Sequence, residues 1–374
     1  MSISSPFRFG KIVTGNNFIN RSEDIKRIQN NLVSNINTII ISPRRWGKSS
    51  LMKQVELKTQ SPDIRFAFID FFTIRNEEDF YKSYMKEILR CTINRKEELM
   101  NAGKEFFKRI IPVLSFSIDP QQDLSVNLNW KEARKSRDEI INLPEIIAKK
   151  KGIRIVVCID EFQHITRIRD YITLEHELRS WWQQHEHVSY CLYGSRKHMM
   201  IEIFKNESRA FYRFGDLIML DKIEKDHWIK FIIQSFRKTN KTIAKEFAEK
   251  IIDIADNHPD YIQQICHHAW NLTVGTVNKK IITEALDLVL RSNKVYYQNI
   301  CDSISNTQYN LLIALMNNEK HLTSTATMQD YNLGTPRNVI KNRDMLESRD
   351  IIEIYDDGIH FSDPIFKYWL SQNH

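Results

Sequence analysis

The first sixty residues alternate between helix-like and strand-like hydrophobic patterns. Residues 20–34 carry apolar side chains at helical spacing behind a polar capping residue, which predicts a helix. Residues 38–41 form a short, apolar and mostly β-branched run, which predicts a buried strand. The loop 42–48 follows, and a second helix is predicted to begin near Lys48.

Three further strands are predicted in the first 221 residues, each separated from the next by a helical pattern. They cover residues 64–70, 153–159 and 188–193. Strands that alternate with helices indicate a parallel sheet with helices on both faces, so the fold class is α/β. Residues 113–130 alternate with a period of two around a polar turn, which predicts a hairpin insertion.

The remainder of the chain changes pattern twice. Residues 222–298 carry helical periodicity throughout. After residue 299, three short helices precede alternating apolar residues on either side of Asp356-Asp357-Gly358, which is a strong hairpin signal. Three helices and a hairpin predict a winged helix. We therefore expect domains at 1–221, 222–298 and 299–374.

The bulk composition fits a compact protein of two or three domains, because one hydrophobic core stops growing near 250–300 residues. The chain has 374 residues and a net charge of +7. That charge is uneven, since residues 301–374 carry a net −4 and the first 300 residues about +11. A nucleic-acid footprint is therefore expected on the N-terminal part and not on the tail.

A membrane segment and a disulfide framework are both unexpected. The longest apolar runs are strand-sized, well below the ~20 residues of a spanning helix. The first residues lack the apolar region of a signal peptide. Five scattered cysteines contain no C-x-x-C pair, so no thiolate zinc site is predicted. We expect a cytoplasmic protein without membrane contact.

The loop after the first strand resembles a phosphate-binding loop. The general pattern G-x-x-x-x-G-K-[ST] surrounds phosphate oxygens with backbone N–H groups and a helix N-terminus. Here Lys48 would reach the β- and γ-phosphates of ATP, and the Ser49 hydroxyl would coordinate Mg²⁺. The first glycine of the pattern is replaced by serine. The candidate nucleotide-binding residues in this segment are Ser42, Pro43, Arg44, Arg45, Trp46, Gly47, Lys48, Ser49 and Ser50.

A second chemical signal follows the apolar strand 153–159. Asp160 and Glu161 stand at its carboxyl end, where a carboxylate is costly unless a cation or a partner receives it. We expect Asp160 to hold the Mg²⁺ shell and Glu161 to accept a proton from the attacking water. The alternative is that the two acidic residues merely start a helix.

With these two segments the chain resembles the archaeal-type ATPases of the AAA+/STAND class of P-loop proteins over nearly its whole length. The resemblance implies a parallel-sheet P-loop NTPase core with a helical lid domain and a C-terminal winged-helix domain. Its carriers are Phe18-Ile19-Asn20-Arg21-Ser22-Glu23, the loop and helix start 42–51, Ile159-Asp160-Glu161-Phe162-Gln163, Tyr193-Gly194-Ser195, Phe211-Tyr212-Arg213, His258-Pro259 and Phe361-Ser362-Asp363-Pro364-Ile365-Phe366.

The resemblance also implies roles for residues outside the two motifs. Phe18 and Arg21 match the segment that covers adenine, although Asn20 stands where glycine is usual. Ser195 matches a polar residue that senses the γ-phosphate. Arg213 matches an arginine that is directed towards a nucleotide, and Arg179 is a rival for that role. His258 and Pro259 match the place where a helical lid contacts the nucleotide.

Other polar clusters have competing interpretations. His185, His187 and His198 could suggest a metal, but no carboxylate completes a ligand set, and we expect solvated histidines. Arg44 and Arg45 could meet nucleic acid, but phosphates or acidic partners are favoured. On the third helix of the winged helix, the few cations are surrounded by acidic residues, so a contact with another protein or within the chain is favoured over DNA there.

The sequence predicts an ATP-binding and hydrolysing molecular switch that depends on Mg²⁺. Hydrolysis should be slow in isolation if a partner supplies the arginine. The expected partners are ATP or ADP and a second protein or a second copy of the chain. Two alternatives stay open: a DNA-binding ATPase, either initiator-like or a transposition helper, and a non-hydrolysing nucleotide-gated signalling scaffold.

Overall fold

The computed structural model describes residues 4–59, 61–92, 114–118, 124–128, 136–355 and 358–374. The chain divides into two compact units. The core unit contains Arg21–Arg44 and Lys48–Asp221, and the helical unit contains Met1–Asn20, Arg45–Gly47 and Lys222–His374. In the described part of the chain, no helix is long and apolar enough to cross a membrane.

The core unit alternates strands and helices, as its hydrophobic pattern predicts. Its elements in chain order are α1 (Ser22–Val33), β1 (Thr38–Ile41), α2 (Lys48–Lys58), β2 (Ile64–Asp70), α3 (Glu77–Thr92), β3 (Leu114–Ile118), β4 (Leu124–Leu128), α4 (Arg137–Lys151), β5 (Arg154–Asp160), α5 (Tyr171–Trp182), β6 (Val188–Gly194), α6 (Lys197–Lys205) and β7 (Asp216–Met219).

Five of these strands form one parallel sheet in the order β2-β5-β6-β1-β7. Every residue of β1 and β6 is buried, so side chains that point to opposite faces of the sheet are both covered. The apolar, β-branched sequence of these central strands explains that burial. The predicted α/β class and parallel sheet are confirmed. The sequence pattern gave four strands and missed β7.

The loops that matter for function follow the carboxyl ends of neighbouring strands. Strands β5, β6 and β1 are adjacent in the sheet. Parallel strands present their carboxyl ends at the same edge, so the residues that follow Asp160, Gly194 and Ile41 lie together. The predicted hairpin insertion is also present, because β3 and β4 pair in antiparallel register. Its turn lies outside the described residues.

The helical unit contains seven helices of more than eight residues and one hairpin among the described residues. Its elements in chain order are α7 (Lys225–Arg237), α8 (Lys245–Ile254), α9 (Pro259–Leu272), α10 (Lys279–Asp302), α11 (Asn306–Met316), the short α12 (Thr325–Asp330), α13 (Pro336–Ser348), β8 (Ile352–Tyr355), β9 (Gly358–Phe361) and α14 (Pro364–Asn373).

One hydrophobic core runs through the whole helical unit. It joins Phe7, near the N-terminus, to Leu370 in the last helix. Helix α10 continues through residue 298, so the wholly helical segment and the winged helix share a long element. Side-chain caps define the starts of the C-terminal helices, among them a capping box between Ser305 and Gln308 at α11. The predicted three helices and hairpin are confirmed, while Asp356 and Asp357 lie outside the described residues.

Candidate functional site

The loop between β1 and α2 has the local geometry of a phosphate-binding turn. Ser42 is buried, and its N–H donates to the carbonyl of Gly194 at the end of β6, 3.4 Å away. Gly47 has a φ of 92°, a conformation that favours glycine. Ser42 is not among the residues with positive φ, so the replacement of the first motif glycine by serine causes no backbone strain. Helix α2 then begins at Lys48, and Ser50 lies in its first turn.

Lys48 is 5% exposed and folds back over its own loop. Its ammonium donates to the carbonyl oxygens of Ser42 and Pro43, both 3.3 Å from Nζ. The charge of Lys48 also lowers the pKa of Glu161 and opposes the rise in the pKa of Asp160, so the ammonium lies near anionic groups as well as carbonyls. The side chain is therefore placed at the loop and suited to an anionic ligand.

Asp160 ends β5 beside the first turn of α2. The Ser49 hydroxyl donates to Asp160 Oδ2 at 2.5 Å, and the N–H of Glu161 donates to Oδ1 at 2.8 Å. Burial raises the pKa of Asp160 to about 6, although the Ser49 hydrogen bond and the charge of Lys48 oppose that rise. A carboxyl group that is costly to ionise gains most from a nearby cation.

Glu161 has a left-handed backbone (φ 51°, ψ 42°), and its side chain turns towards the end of β6. Its Oε2 accepts from Ser195 Oγ at 2.7 Å, from the Ser195 N–H at 3.3 Å and from Gln163 Nε2. Burial acts to raise the pKa of Glu161, but the charge of Lys48 and the hydrogen bonds from Gln163 and Ser195 outweigh it and lower the pKa. The sequence-predicted residues Lys48, Asp160, Glu161 and Ser195 are thus brought together.

The donor set of Ser49 and Asp160 suits Mg²⁺. A hydroxyl and a carboxylate supply the hard oxygen ligands that Mg²⁺ prefers, usually beside waters and substrate phosphates. In the part of the chain that the structure describes, no group of three or more His, Cys, Asp or Glu side chains could hold a metal ion by itself. A metal at Ser49 and Asp160 would therefore need ligand or water oxygens as well.

The predicted arginines occupy different surroundings in the core unit. Arg21 follows Asn20, and both have positive φ, which explains why glycine is usual at the Asn20 position. The Arg21 guanidinium donates to the carbonyl of Asp221 at 2.8 Å and pairs with the carboxylate of Asp24 at 3.3 Å. Arg21 thereby anchors the start of α1.

Arg179 and Arg213 both lie against aromatic rings. The Arg179 guanidinium is 4.8 Å from the centroid of Phe214, and that of Arg213 is 5.1 Å from the centroid of Tyr212. Burial lowers the pKa of Arg179. Arg44 is exposed and also belongs to the core unit.

The other predicted residues belong to the helical unit. They are Phe18, Arg45, Trp46, Gly47, His258 and Pro259. His258 caps the N-terminus of α9, and Pro259 is its first residue, where a missing N–H costs nothing. Arg45 pairs with Asp260 in the first turn of the same helix, 3.4 Å apart.

The expectation of solvated histidines is wrong for His185. This side chain is 6% exposed, and its Nδ1 lies 2.8 Å from the Tyr190 hydroxyl inside the core unit. The cause is packing on the aromatic ring of Tyr190, which the spacing of the histidines does not reveal. His187 is half-exposed, and its Nδ1 pairs with Glu145 at 2.7 Å.

Sequence reasoning named Gln163 and Gly194 in the segments that carry the resemblance but assigned neither a role, and both complete the surroundings of Glu161. Gln163 is fully buried and donates to the Glu161 carboxylate. Gly194 immediately precedes Ser195 at the end of β6. Two features of the sequence could have indicated these roles. One is the position of the glutamine two residues after Glu161. The other is a glycine at a strand end, which often marks a place where another group lies close to the backbone.

Solved structures with a similar fold include a Walker-type ATPase and two ORC proteins. A Walker-type ATPase of Pyrococcus abyssi superposes with a TM-score of 0.69 at 16% identity, covering 98% of this chain and 99% of that chain. The ORC2 protein of Aeropyrum pernix, described in ADPNP–ADP complexes, gives a TM-score of 0.54 at 14% identity, covering 94% and 92%. The Aeropyrum pernix ORC1 protein in complex with DNA gives 0.51 at 10% identity, covering 95% and 93%. At these identities the likeness shows the fold alone.

Comparison of the sequence with family models identifies two segments, and no curated protein sequence matches the chain. Residues 295–372 match the model described as "probable winged helix domain". Residues 18–265 match the model of an ATPase domain predominantly from Archaea, which includes the phosphate-type loop, Asp160-Glu161 and Ser195. That match spans more than half of the chain, so the protein belongs to this archaeal-type ATPase family and carries a C-terminal winged helix.

Proposed function

We propose that the protein is a Mg²⁺-dependent molecular switch that binds and hydrolyses ATP. The observation that carries the proposal is the convergence of a lysine, a hydroxyl and two carboxylates at adjacent strand ends of the core unit. Lys48 and Ser49 begin α2 after β1, while Asp160 and Glu161 follow β5. Ser195 follows β6, which lies between those two strands.

The loop would bind the triphosphate. Backbone N–H groups of residues 44–50 and the N-terminus of α2 would face the phosphate oxygens. The Lys48 ammonium would exchange the carbonyls of Ser42 and Pro43 for β- and γ-phosphate oxygens, and this exchange is favourable because the new acceptors are charged. We assign contact with adenine to Phe18 and Arg21, and the response of the helical lid to His258 and Pro259, as the family resemblance implies.

Ser49 and Asp160 would hold the metal. When bound, Mg²⁺ neutralises charge on the β- and γ-phosphate oxygens. The Ser49 hydroxyl now donates to Asp160, so both oxygens already face the same small region. Burial of Asp160 favours a bound cation, since ionisation without one is costly.

Glu161 would act as the base. It would accept a proton from the water whose oxygen attacks the γ-phosphorus, while the bond to the β,γ-bridging oxygen breaks and ADP leaves with that electron pair. The lowered pKa of Glu161 keeps the carboxylate ionised at neutral pH. Ser195 would contact the γ-phosphate, and Arg213 or Arg179 would stabilise charge on it.

Phosphate release from the purified protein tests hydrolysis directly. We expect slow, Mg²⁺-dependent release that Glu161→Gln lowers by roughly a hundredfold or more, because general-base catalysis typically contributes 10²–10⁴-fold. Glu139→Gln, on an exposed turn of α4, is the matched control and should release phosphate like the original protein. Tight ATP binding without release would favour the non-hydrolysing scaffold.

The winged helix is proposed to contact protein and not DNA. Arg343, one of the cations of α13, already pairs with Asp344 at 2.8 Å, and acidic residues surround this helix. A protein that binds DNA electrostatically loses affinity steeply with salt, because bound counterions are released. Fluorescence anisotropy of a labelled duplex at low and high salt is the test. Salt-sensitive binding that Arg337→Ala weakens would favour the DNA-binding ATPase instead.

A further inference from the structure

We propose that Gln163 is a positioning residue that fixes the Glu161 carboxylate for proton transfer, and that Gly194 is required because it leaves room for the Gln163 amide. The inference rests on the proposed ATP hydrolysis and extends it to two residues outside the phosphate-type loop. Gln163 reaches the nucleotide chemistry only through Glu161.

A rigid support places Gln163. It lies in a 3-10 helix, Phe162–Arg167, that follows Glu161 directly. The ring of Phe162 is fully buried and packs edge-on against Phe71 and Phe211, with centroids 5.7 and 5.3 Å apart. Thr166 Oγ1 donates to the Gln163 carbonyl at 2.9 Å. The main chain on both sides of the side chain is therefore held.

The orientation of the Gln163 amide follows from its partner. Only the NH₂ group can donate to the ionised carboxylate of Glu161, so Nε2 must face it. Gln163 Oε1 is buried and has no hydrogen-bond partner within the described residues. A buried unpaired carbonyl is unfavourable, and an apolar side chain at this position would avoid that cost. The NH₂ group is therefore the part of this side chain that contacts the candidate site.

Gly194 provides the space for this amide. A Cβ atom on residue 194 would lie 2.1 Å from Gln163 Oε1 and 2.6 Å from the sulfur of Met200. The first contact is far inside van der Waals distance, so any larger residue would push the amide away from Glu161. The glycine at the end of β6 and the glutamine after β5 therefore form one structural unit.

The two oxygens of the Glu161 carboxylate have different surroundings, because all three donors contact the same oxygen. Every described hydrogen bond to the side chain, from Gln163 Nε2, Ser195 Oγ and the Ser195 N–H, reaches Oε2. The carboxylate is thereby fixed in rotation, and Oε1 is the oxygen placed to accept a proton from water. If Gln163 is lost, the carboxylate keeps its charge but loses one of the donors that set its direction.

The first test separates chemistry from binding. Gln163→Ala should lower kcat for ATP by roughly tenfold to a hundredfold, the range expected when a catalytic group is misplaced by about 1 Å. The dissociation constant for ATP should change by less than about twofold, because the described hydrogen bonds of Gln163 go to Glu161 and Thr166 and not to the proposed phosphate-binding loop. Arg167→Ala, which changes an exposed side chain of the same 3-10 helix, is the matched control and should leave kcat within about twofold.

The second test is a double-mutant cycle. Gly194→Ala alone should lower kcat to a similar extent, because its methyl group displaces the amide. Added to Gln163→Ala, the same change should lower kcat less than it does alone, since no amide remains to be displaced and only the contact with Met200 is left. Independent, multiplying effects would contradict the assigned role of Gly194.

The third test does not depend on turnover. In a crystal structure of the Gln163→Ala protein, we expect the Glu161 carboxylate to leave Ser195 or to occupy two positions. A Glu161 side chain in one unchanged position overturns the inference, even if hydrolysis is slower. Absence of phosphate release from the original protein would instead reject the proposed function. In that case the position of Glu161 in the crystal structure of the Gln163→Ala protein would still decide whether Gln163 holds the carboxylate.

Discussion

The Ser49 hydroxyl donates a 2.5 Å hydrogen bond to Asp160 Oδ2, and this contact joins the first turn of α2 to the end of β5. The two residues are far apart in sequence, and the parallel sheet brings them together because β5 and β1 both flank β6. The pair also supplies the oxygen ligands for the proposed metal. A substitution of Ser49 or Asp160 therefore tests the proposed metal site and leaves most of the loop unchanged.

Asp160→Asn should remove the Mg²⁺ dependence of nucleotide binding. The amide can still accept from Ser49, but it carries no charge to attract the cation. We therefore expect the factor by which Mg²⁺ increases ATP affinity to be roughly tenfold smaller in the variant than in the original protein. Isothermal titration with and without Mg²⁺ measures this difference. Asp70→Asn is the matched control: Asp70 pairs in register with Asp160 at the neighbouring strand end, but its carboxylate accepts from the Phe72 N–H. Equal losses in both variants would contradict the assignment of the metal to Asp160.

Lys48→Ala should abolish the thermal stabilisation of the core unit by ATP. A ligand at a hundred times its dissociation constant stabilises a protein by about 2.7 kcal/mol, which corresponds to roughly 5–10 °C for a unit of this size. Lys53→Ala is the control in the same helix, since Lys53 pairs with Glu56 at 3.0 Å and has no assigned role. Differential scanning fluorimetry with Mg²⁺-ATP reads the shift. An undiminished shift in Lys48→Ala would count against the loop as the binding site.

Asp363 should be a major source of stability in the helical unit. Its carboxylate accepts from the Tyr261 hydroxyl, from the Tyr297 hydroxyl at 3.2 Å, and from the N–H groups of Ile365 and Phe366 at 2.9 and 3.0 Å. Asp363→Ala leaves these donors without an acceptor, and we expect a loss of about 3 kcal/mol in unfolding free energy.

Two further variants make the Asp363 prediction specific. Asp363→Asn keeps an oxygen for the helix N–H groups and should cost only about 1 kcal/mol. Asp344→Ala removes an exposed carboxylate that pairs with Arg343, and should stay within about 0.5 kcal/mol of the original protein. Urea unfolding measures all three. A cost for Asp363→Ala as small as that for Asp344→Ala would show that the buried contacts contribute little.

His185 should make the core unit less stable in mild acid. Burial lowers the pKa of His185 to about 4 from its ordinary value of 6.5, with Glu145 opposing part of that shift. The unfolded chain therefore binds a proton more readily than the folded chain. The contribution of His185 to the unfolding free energy is fully present above pH 6.5, and it is lost as the pH falls from 6.5 towards 4.

The matched variant for this titration is His185→Gln, which keeps a polar partner near Tyr190. Between pH 7.5 and pH 5, the original protein should lose about 2 kcal/mol more unfolding free energy than the variant does. Urea unfolding curves at the two pH values provide the comparison. Equal losses of unfolding free energy in the two proteins would mean that the pKa of His185 does not differ between the folded and unfolded states.

Much of this fold could be predicted from local pattern. The apolar β-branched residues of β1 and β5 and the helical spacing in α1 identify their elements without tertiary information. The loop motif and Asp160-Glu161 then fix which strand ends must meet, because their chemistry requires a shared ligand. Strand β7 was missed because it has only four residues, of which one is buried, and its pairing with β1 is what defines it.

The parts that could not be predicted depend on contacts between distant segments. Gln163 looks like an ordinary polar residue until Gly194 and Ser195 are placed beside it. His185 looks solvated until Tyr190 packs on it, together with Trp182, whose ring stacks on Tyr190 at 4.1 Å. Such contacts are set by sheet register and core packing, and neither is encoded in the spacing of residues along the chain.

A crystal structure with a non-hydrolysable ATP analogue and Mn²⁺ is the most direct measurement of the central claim. Anomalous scattering would locate the metal independently of the protein density. We predict one peak about 2.1 Å from both Ser49 Oγ and a β- or γ-phosphate oxygen, with Asp160 in its coordination shell and Lys48 on the phosphates. A nucleotide bound away from Lys48, or a metal that contacts neither Ser49 nor Asp160, would contradict the account.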